Sequence, residues 1–142
     1  MQDRAAAGVW REFNGRRVYD TGGYVPKIRS FQSEIAYDRT DDPRYMAQKA
    51  NEVLRHFGFP ETARATETVR PGYTIYRLYV DGVEVSGYRQ YGSGERKIGM
   101  NLASMLHDAV IYRIRKESGD AVADSLTNAM GEVQSLRWKF RR

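Results

Sequence analysis

The chain has 142 residues and a mass of 16.3 kDa, which suits one domain with its own hydrophobic core. It has no cysteine, which excludes disulfides, zinc–thiolate sites and a cysteine nucleophile, and the expectation is a cytosolic protein. Basic residues outnumber acidic ones 23 to 18, giving +5, and eighteen of them are arginine, whose planar guanidinium suits bidentate contact with phosphate or carboxylate.

An anionic partner accounts for that excess, and so does plain solubility; the placement of the arginines has to decide. Hydrophobic residues at 41% and aromatics at 12%, ten of them tyrosine, exclude a disordered chain. No apolar run reaches the roughly 18 residues of a membrane span. The start, Met1-Gln2-Asp3-Arg4-Ala5-Ala6-Ala7, lacks the apolar stretch of a signal peptide. No membrane contact is expected.

In chain order, Val9 to Asp20 reads as a hairpin about Asn14-Gly15, the preferred pair for a two-residue turn. That turn sets Phe13 opposite Arg16, Glu12 opposite Arg17 and Trp10 opposite Tyr19. Thr21-Gly22-Gly23 ends the strand. Tyr24 to Tyr37 is rich in β-formers and reads as a further strand, firmest over Phe31 to Tyr37, with Pro26 marking an edge or bulge near its start.

Asp41-Asp42-Pro43 opens a helix, with an aspartate cap and proline in the first turn. Met46, Ala50, Val53, Leu54 and Phe57 give its apolar stripe, and Gly58 and Pro60 close it. Arg64 to Val69 reads as a short strand, followed by an Arg70-Pro71-Gly72 turn. Tyr73 to Val80 and Val83 to Tyr91 form a second hairpin about Asp81-Gly82. A long helix then carries Ile98, Leu102, Met105, Leu106, Ala109, Val110 and Ile114 on one face. Ser118-Gly119 interrupts it.

Asp120 starts a last helix with a stripe of Val122, Leu126, Ala129, Met130, Val133 and Phe140, and Arg137, Lys139, Arg141 and Arg142 at its negative end. Leu136 and Trp138 fall outside that stripe, so a helix apolar on two sides predicts a homo-oligomer, unless Trp138 folds back over the first hairpin. The predicted architecture is one α+β domain over residues 1–142. Its antiparallel sheet comes from two hairpins plus additional strands and packs against about three helices. An N-terminal hairpin region (9–37) and a C-terminal helix (120–140) are added to an α-β-β-β-α unit.

Catalytic signals are absent. His56 and His107 lie on different helices without metal-ligand spacing. Ser104, His107 and Asp108 fall within one helical turn, whereas the members of a catalytic triad come from separate elements. Asp41 and Asp42 are accounted for by capping, and Asp120 and Asp124 by a cap and a solvated face. No enzyme activity, cofactor or metal is expected.

The second hairpin is more informative. Simple pairing about Asp81-Gly82 puts Tyr76, Leu78 and Val80 with Val83, Val85 and Gly87 on a core face. Tyr73, Ile75, Arg77 and Tyr79 then share the other face with Glu84, Ser86, Tyr88 and Gln90. Rings interleaved with a guanidinium and amides make a surface on which a base can stack while its phosphate is held. Two readings stand: a ligand surface, or a face covered by the first hairpin or a partner subunit with its tyrosine hydroxyls bonded to backbone.

Gly92-Ser93-Gly94 followed by Arg96 and Lys97 sets a glycine-rich basic loop at a helix N-terminus. Free N–H groups there favour an anion, and a bound phosphate would offset two cations at the positive end of the dipole. A plain loop with a serine cap is the other reading. The spacing matches neither the P-loop nor the dinucleotide fingerprint.

Over residues 43–116 the order helix, strand, hairpin, basic loop, helix resembles the double-stranded RNA-binding domain. The matching positions are Gly58-Phe59-Pro60, Val80-Asp81-Gly82-Val83 and Gly94-Glu95-Arg96-Lys97. Arg96-Lys97-Ile98-Gly99-Met100 stands where that family has its lysine-rich helix start, and Arg70-Pro71-Gly72 is a short form of its first inter-strand loop. The resemblance implies an α-β-β-β-α fold and a duplex-RNA ligand.

From the residues, the expected function is non-catalytic binding of a phosphorylated ligand, nucleic acid or nucleotide, at Tyr73, Arg77, Tyr79, Tyr88, Gln90, Gly92, Ser93, Gly94, Arg96 and Lys97. The alternative is a small oligomeric phage-type inhibitor that sequesters a nucleotide signal or blocks a host protein. Arginines along a track favour the first; arginines converging on one pocket favour the second.

Overall fold

The computed structural model describes residues 9–13, 16–20, 23–92 and 95–141, with side chains described for 23–36, 38–92 and 101–131. The fold is α+β. The first hairpin pairs β1 (Val9–Phe13) with β2 (Arg16–Asp20), in a register that sets Trp10 opposite Tyr19, Glu12 opposite Arg17 and Phe13 opposite Arg16, as expected of a two-residue turn. The hairpin is a sheet of its own, separate from the three-stranded one.

Tyr24 to Tyr37 departs from the expected strand. It forms helix α1 (Tyr24–Ser33) and then a short 3-10 turn at Tyr37–Arg39. Tyr24 and Ile28, one helical turn apart, are fully buried, and Val25 and Phe31 pack beside them. The broken alternation between Ile28 and Phe31 is thus an i, i+3 step along a helical stripe. Pro26 sits in the first turn, where its missing N–H has no intrahelical partner to lose. Gln32 Nε2 donates to the Ala103 carbonyl at 2.8 Å, which ties the end of α1 to the long helix.

Helix α2 (Pro43–His56) begins as its sequence dictates: the Asp42 side chain accepts from the Arg44 N–H at 2.9 Å, and Pro43 opens the first turn. Met46, Ala50, Val53 and Leu54 are fully buried. Strands β3 (Ala63–Arg70), β4 (Tyr73–Val80) and β5 (Val83–Tyr91) make an antiparallel sheet with β4 in the centre. Asp81 and Gly82, at φ 54 and 78, supply the two left-handed residues of the β4–β5 turn.

Helices α3 (Glu95–Ser118) and α4 (Asp120–Arg141) are separated by Gly119 at φ 93. Arg115 bridges the break, reaching Asp120 at 2.9 Å and Asp124 at 3.0 Å. Those two aspartates are therefore spoken for by an ion pair. Among the described residues there are four α-helices, close to the three or so expected, and α2 and α3 pack against the same face of the sheet. Between helices and sheet lie Leu78 and Val80 with Leu102, Leu106, Ala109 and Val110. Val122, Ala123, Leu126 and Met130 of α4 close the core, with Ala129 half-buried; the rest of the stripe, with Ile98, Leu136 and Trp138, lies outside the described side chains.

Candidate nucleic-acid interface

The pairing of β4 with β5 is in simple register only next to the turn, where Val80 faces Val83 and Tyr79 faces Glu84. A one-residue bulge then lets Leu78 face Ser86, Arg77 face Gly87, Tyr76 face Tyr88 and Ile75 face Arg89. One extra residue exchanges the two faces of every position beyond it.

Ser86, Tyr88 and Gln90 consequently lie on the helix-covered side, a correction to the simple pairing. Gln90 is buried, and the Tyr88 ring packs on Tyr76 with centroids 5.2 Å apart. Burial pushes the Tyr76 hydroxyl up to about 12, with Glu67 adding to the shift, and pushes Tyr88 up as well. The Tyr88 ring and the Gln90 side chain therefore face the helices rather than the open side. Arg89 and Tyr91 take their places there.

The open face also gains residues from β3, whose register puts Arg64 beside Tyr79, Thr66 beside Arg77, Thr68 beside Ile75 and Arg70 beside Tyr73. One surface thus carries Arg64, Arg70, Arg77 and Arg89 with Tyr73, Tyr79 and Tyr91, against a single acid, Glu84. Arg64, Arg70, Glu84, Arg89 and Tyr91 are exposed and the others half-buried. The Arg89 guanidinium lies 5.2 Å from the Tyr73 ring centre, and Tyr73 and Tyr91 are tilted neighbours at 5.5 Å. Arg77 reaches Glu84 at 3.5 Å and the Thr68 hydroxyl at 3.4 Å. A shallow recess of about 280 Å³ lies here, lined by Ile75, Arg77, Glu84, Gly87, Tyr88 and Arg89.

Two polar anchors hold the sheet on the helices. At the β4–β5 turn, Asp81 accepts from the Thr62 hydroxyl and from Arg113 of α3, with Lys116 at 3.7 Å. The Thr62 hydrogen bond first, then the Arg113 and Lys116 charges, hold its carboxyl below the usual range despite partial desolvation. Further along, the Ser86 hydroxyl donates to Asp108 at 2.8 Å, and the Tyr24 hydroxyl meets His107 Nδ1 at 2.8 Å. Desolvation lowers His107 to about 4, and desolvation raises Asp108 although the Ser86 bond opposes it. His107 and Asp108 are thereby each engaged with a different element, which separates them from Ser104, an exposed residue.

Gly92, at φ 66, ends the hairpin, and Arg96 and Lys97 fall on the first turn of α3. Ser93 and Gly94, and the side chains of Arg96 and Lys97, lie outside what is described. No cluster of histidine and acidic side chains fit to hold a metal occurs among the described residues, and none of the described helices is long and apolar enough to cross a membrane.

Of the four residues missed from sequence, Arg64, Arg70, Arg89 and Tyr91, the two on β5 had a readable signal. Strict alternation through β5 continues the core face from Gly87 to Arg89, and an unpaired arginine in a core is costly. A bulge removes that conflict. Comparison of the chain with family models, with curated proteins and with solved structures finds no match in any of the three.

Proposed function

We propose that the protein is a non-catalytic, cytosolic nucleic-acid-binding module whose contact surface is the open face of the β3–β4–β5 sheet. The observation that carries this reading is the spread of the arginines. Arg64 and Arg70 stand at opposite ends of β3, roughly 20 Å apart at strand rise, with Arg77 and Arg89 on the next two strands. Such a spacing follows a row of phosphates; it does not converge on one. Tyr73, Tyr79 and Tyr91 between them offer rings for bases to stack on, worth about 1 to 3 kcal/mol per base.

The resemblance to the double-stranded RNA-binding domain names one ligand class, and the three exposed-face tyrosines favour a single strand over a duplex, because stacking needs unpaired bases. Sequestration of a free nucleotide, the second reading, draws support from the recess beside Arg77. Titration by fluorescence anisotropy of single-stranded DNA and RNA, duplex RNA and mononucleotides at two salt concentrations separates them. The expected result is affinity that rises with strand length and falls with salt, with a log–log slope of roughly 0.7 per neutralised phosphate. Binding that is independent of length overturns the polynucleotide reading.

A further inference from the structure

We infer that the recess between β4 and β5 on the open face is a subsite for one unpaired guanine of the bound strand, an inference that rests on the nucleic-acid reading above. At about 280 Å³ the recess has room for a single base ring system with its stacking neighbours outside. Its floor is open because residue 87 is glycine. A Cβ there would stand 3.1 Å from the Tyr76 carbonyl oxygen and 3.7 Å from both the Arg77 side chain and Glu84 Oε2. One carboxylate oxygen of Glu84 thus overhangs the bare floor, while the other, Oε1, is the one that faces Arg77 Nε at 3.5 Å.

The pair has capacity to spare. An ionised carboxylate offers about four acceptor sites. Of the Arg77 guanidinium, Nε faces Glu84 and Nη1 donates to Thr68, which leaves Nη2 without a protein partner among the described residues. An acceptor pair next to a donor is therefore presented at the rim. Among the common bases, only guanine has the matching edge: its N2–H and N1–H donate side by side, and its O6 accepts beside them. Adenine, cytosine and uracil or thymine each put an acceptor where the carboxylate needs a donor. Pairing within a duplex would occupy that same edge, so the guanine has to be unpaired. Arg89 lines the same recess and lies over Tyr73, next to Tyr91. Those two rings are positioned for the neighbouring base and Arg89 for a phosphate between them.

The test uses the full chain and a short labelled oligouridylate carrying one central guanine, with the same oligomer bearing hypoxanthine, which lacks the N2 amino group, or carrying no guanine. The expected result is roughly tenfold weaker binding of the hypoxanthine strand, the worth of one hydrogen bond to a charged group. In Glu84→Gln that difference should shrink to near unity. Glu84 is exposed, so the variant should fold; a thermal melt checks this. Oligothymidylate versions tell whether RNA or DNA supplies the guanine.

Equal affinity for all three strands, with salt-dependent binding kept, overturns the guanine subsite and leaves the wider reading intact. Equally tight binding after annealing to a complementary strand overturns it too, since the edge is then hidden. Guanosine monophosphate binding as tightly as the oligomer supports the recess but overturns the polynucleotide reading. No binding to any oligomer overturns both.

Discussion

On β4 the side chains alternate between Tyr76, Leu78 and Val80, buried under two helices, and Tyr73, Ile75, Arg77 and Tyr79, which stay accessible on the other side. The same eight residues therefore carry both the core and the candidate interface, one residue out of phase. On β5 the division is less simple, because the bulge beyond Glu84 sends Tyr88 and Gln90 inward and Arg89 and Tyr91 outward. What distinguishes the two faces is the cost of burying each set. The covered face takes rings and aliphatics, and Ser86, one of the polar groups it admits, finds a helix partner in Asp108. The open face takes the guanidinium groups, which burial would leave unpaired.

The sharpest way to break this comparison is truncation on either side of one strand. Leu78→Ala should cost about 2 to 5 kcal/mol in unfolding free energy, since a fully buried leucine leaves a cavity. Ile75→Ala, on the open face, should cost about 1 kcal/mol or less. Urea denaturation of the two variants measures both. Equal losses would mean that the second face is covered as well.

The covered face also has a pH signature. His107 is held near 4 in the folded state against about 6.5 when unfolded, so between those values the unfolded chain binds a proton that the folded chain does not. Stability should be fully present above about pH 6.5 and be lost as the pH falls towards 4, by about 3 kcal/mol at most. Asp108, whose carboxyl is raised by desolvation, works the other way near the bottom of that window, because the folded state then holds its proton more firmly. Tyr24, bonded to His107, stays protonated throughout. His107→Gln should flatten the upper part of the profile, followed by urea midpoints from about pH 7 down to about 4.5.

Exchanging two neighbouring tyrosines of β5 in function sharpens the contrast further. Tyr91→Ala, exposed beside Tyr73, should weaken oligonucleotide binding by about 1 to 3 kcal/mol with little change in melting. Tyr88→Ala should do the reverse, losing about 2 kcal/mol of stability because its ring packs under Tyr76. Parallel melts and titrations read out the two. If both variants lose only binding, the bulge is misplaced.

How much of this was legible depended on whether a local signal had a single structural answer. Asp42-Pro43, Asp81-Gly82 and Gly119 each admit essentially one backbone solution, and the elements they bound appear where the chain dictates. Tyr24 to Tyr37 did not: its residues favour strand by propensity, yet the helical spacing of Tyr24, Ile28 and Phe31 finds a core to fill, and burial outweighs propensity. For the candidate site, Tyr73, Arg77 and Tyr79 lie on β4, where no extra residue intervenes, and alternation alone places them. Tyr88 and Gln90 lie beyond the bulge, and there alternation gives the wrong face unless the burial of Arg89 is weighed. The contribution of β3 was hidden for a different reason: no turn chemistry tells which side of a neighbouring strand its arginines will take.

The smallest expected effect concerns those β3 arginines. Arg64 and Arg70 are both exposed and belong to the edge strand, so the attraction of either for a phosphate is screened by solvent and contributes little individually. The salt dependence isolates them where the affinity at one salt concentration cannot. Replacing both by alanine should lower the log–log slope by roughly 0.7 for each phosphate of a single strand that the arginines had neutralised. Stability should be unchanged, because neither side chain is part of the core. A slope reduced by both substitutions would place phosphates along the full length of β3 and fix the track as extended. A slope unchanged by either, with binding still weakened by Tyr91→Ala, would confine the bound strand to the β4–β5 side and turn the extended surface into a local one.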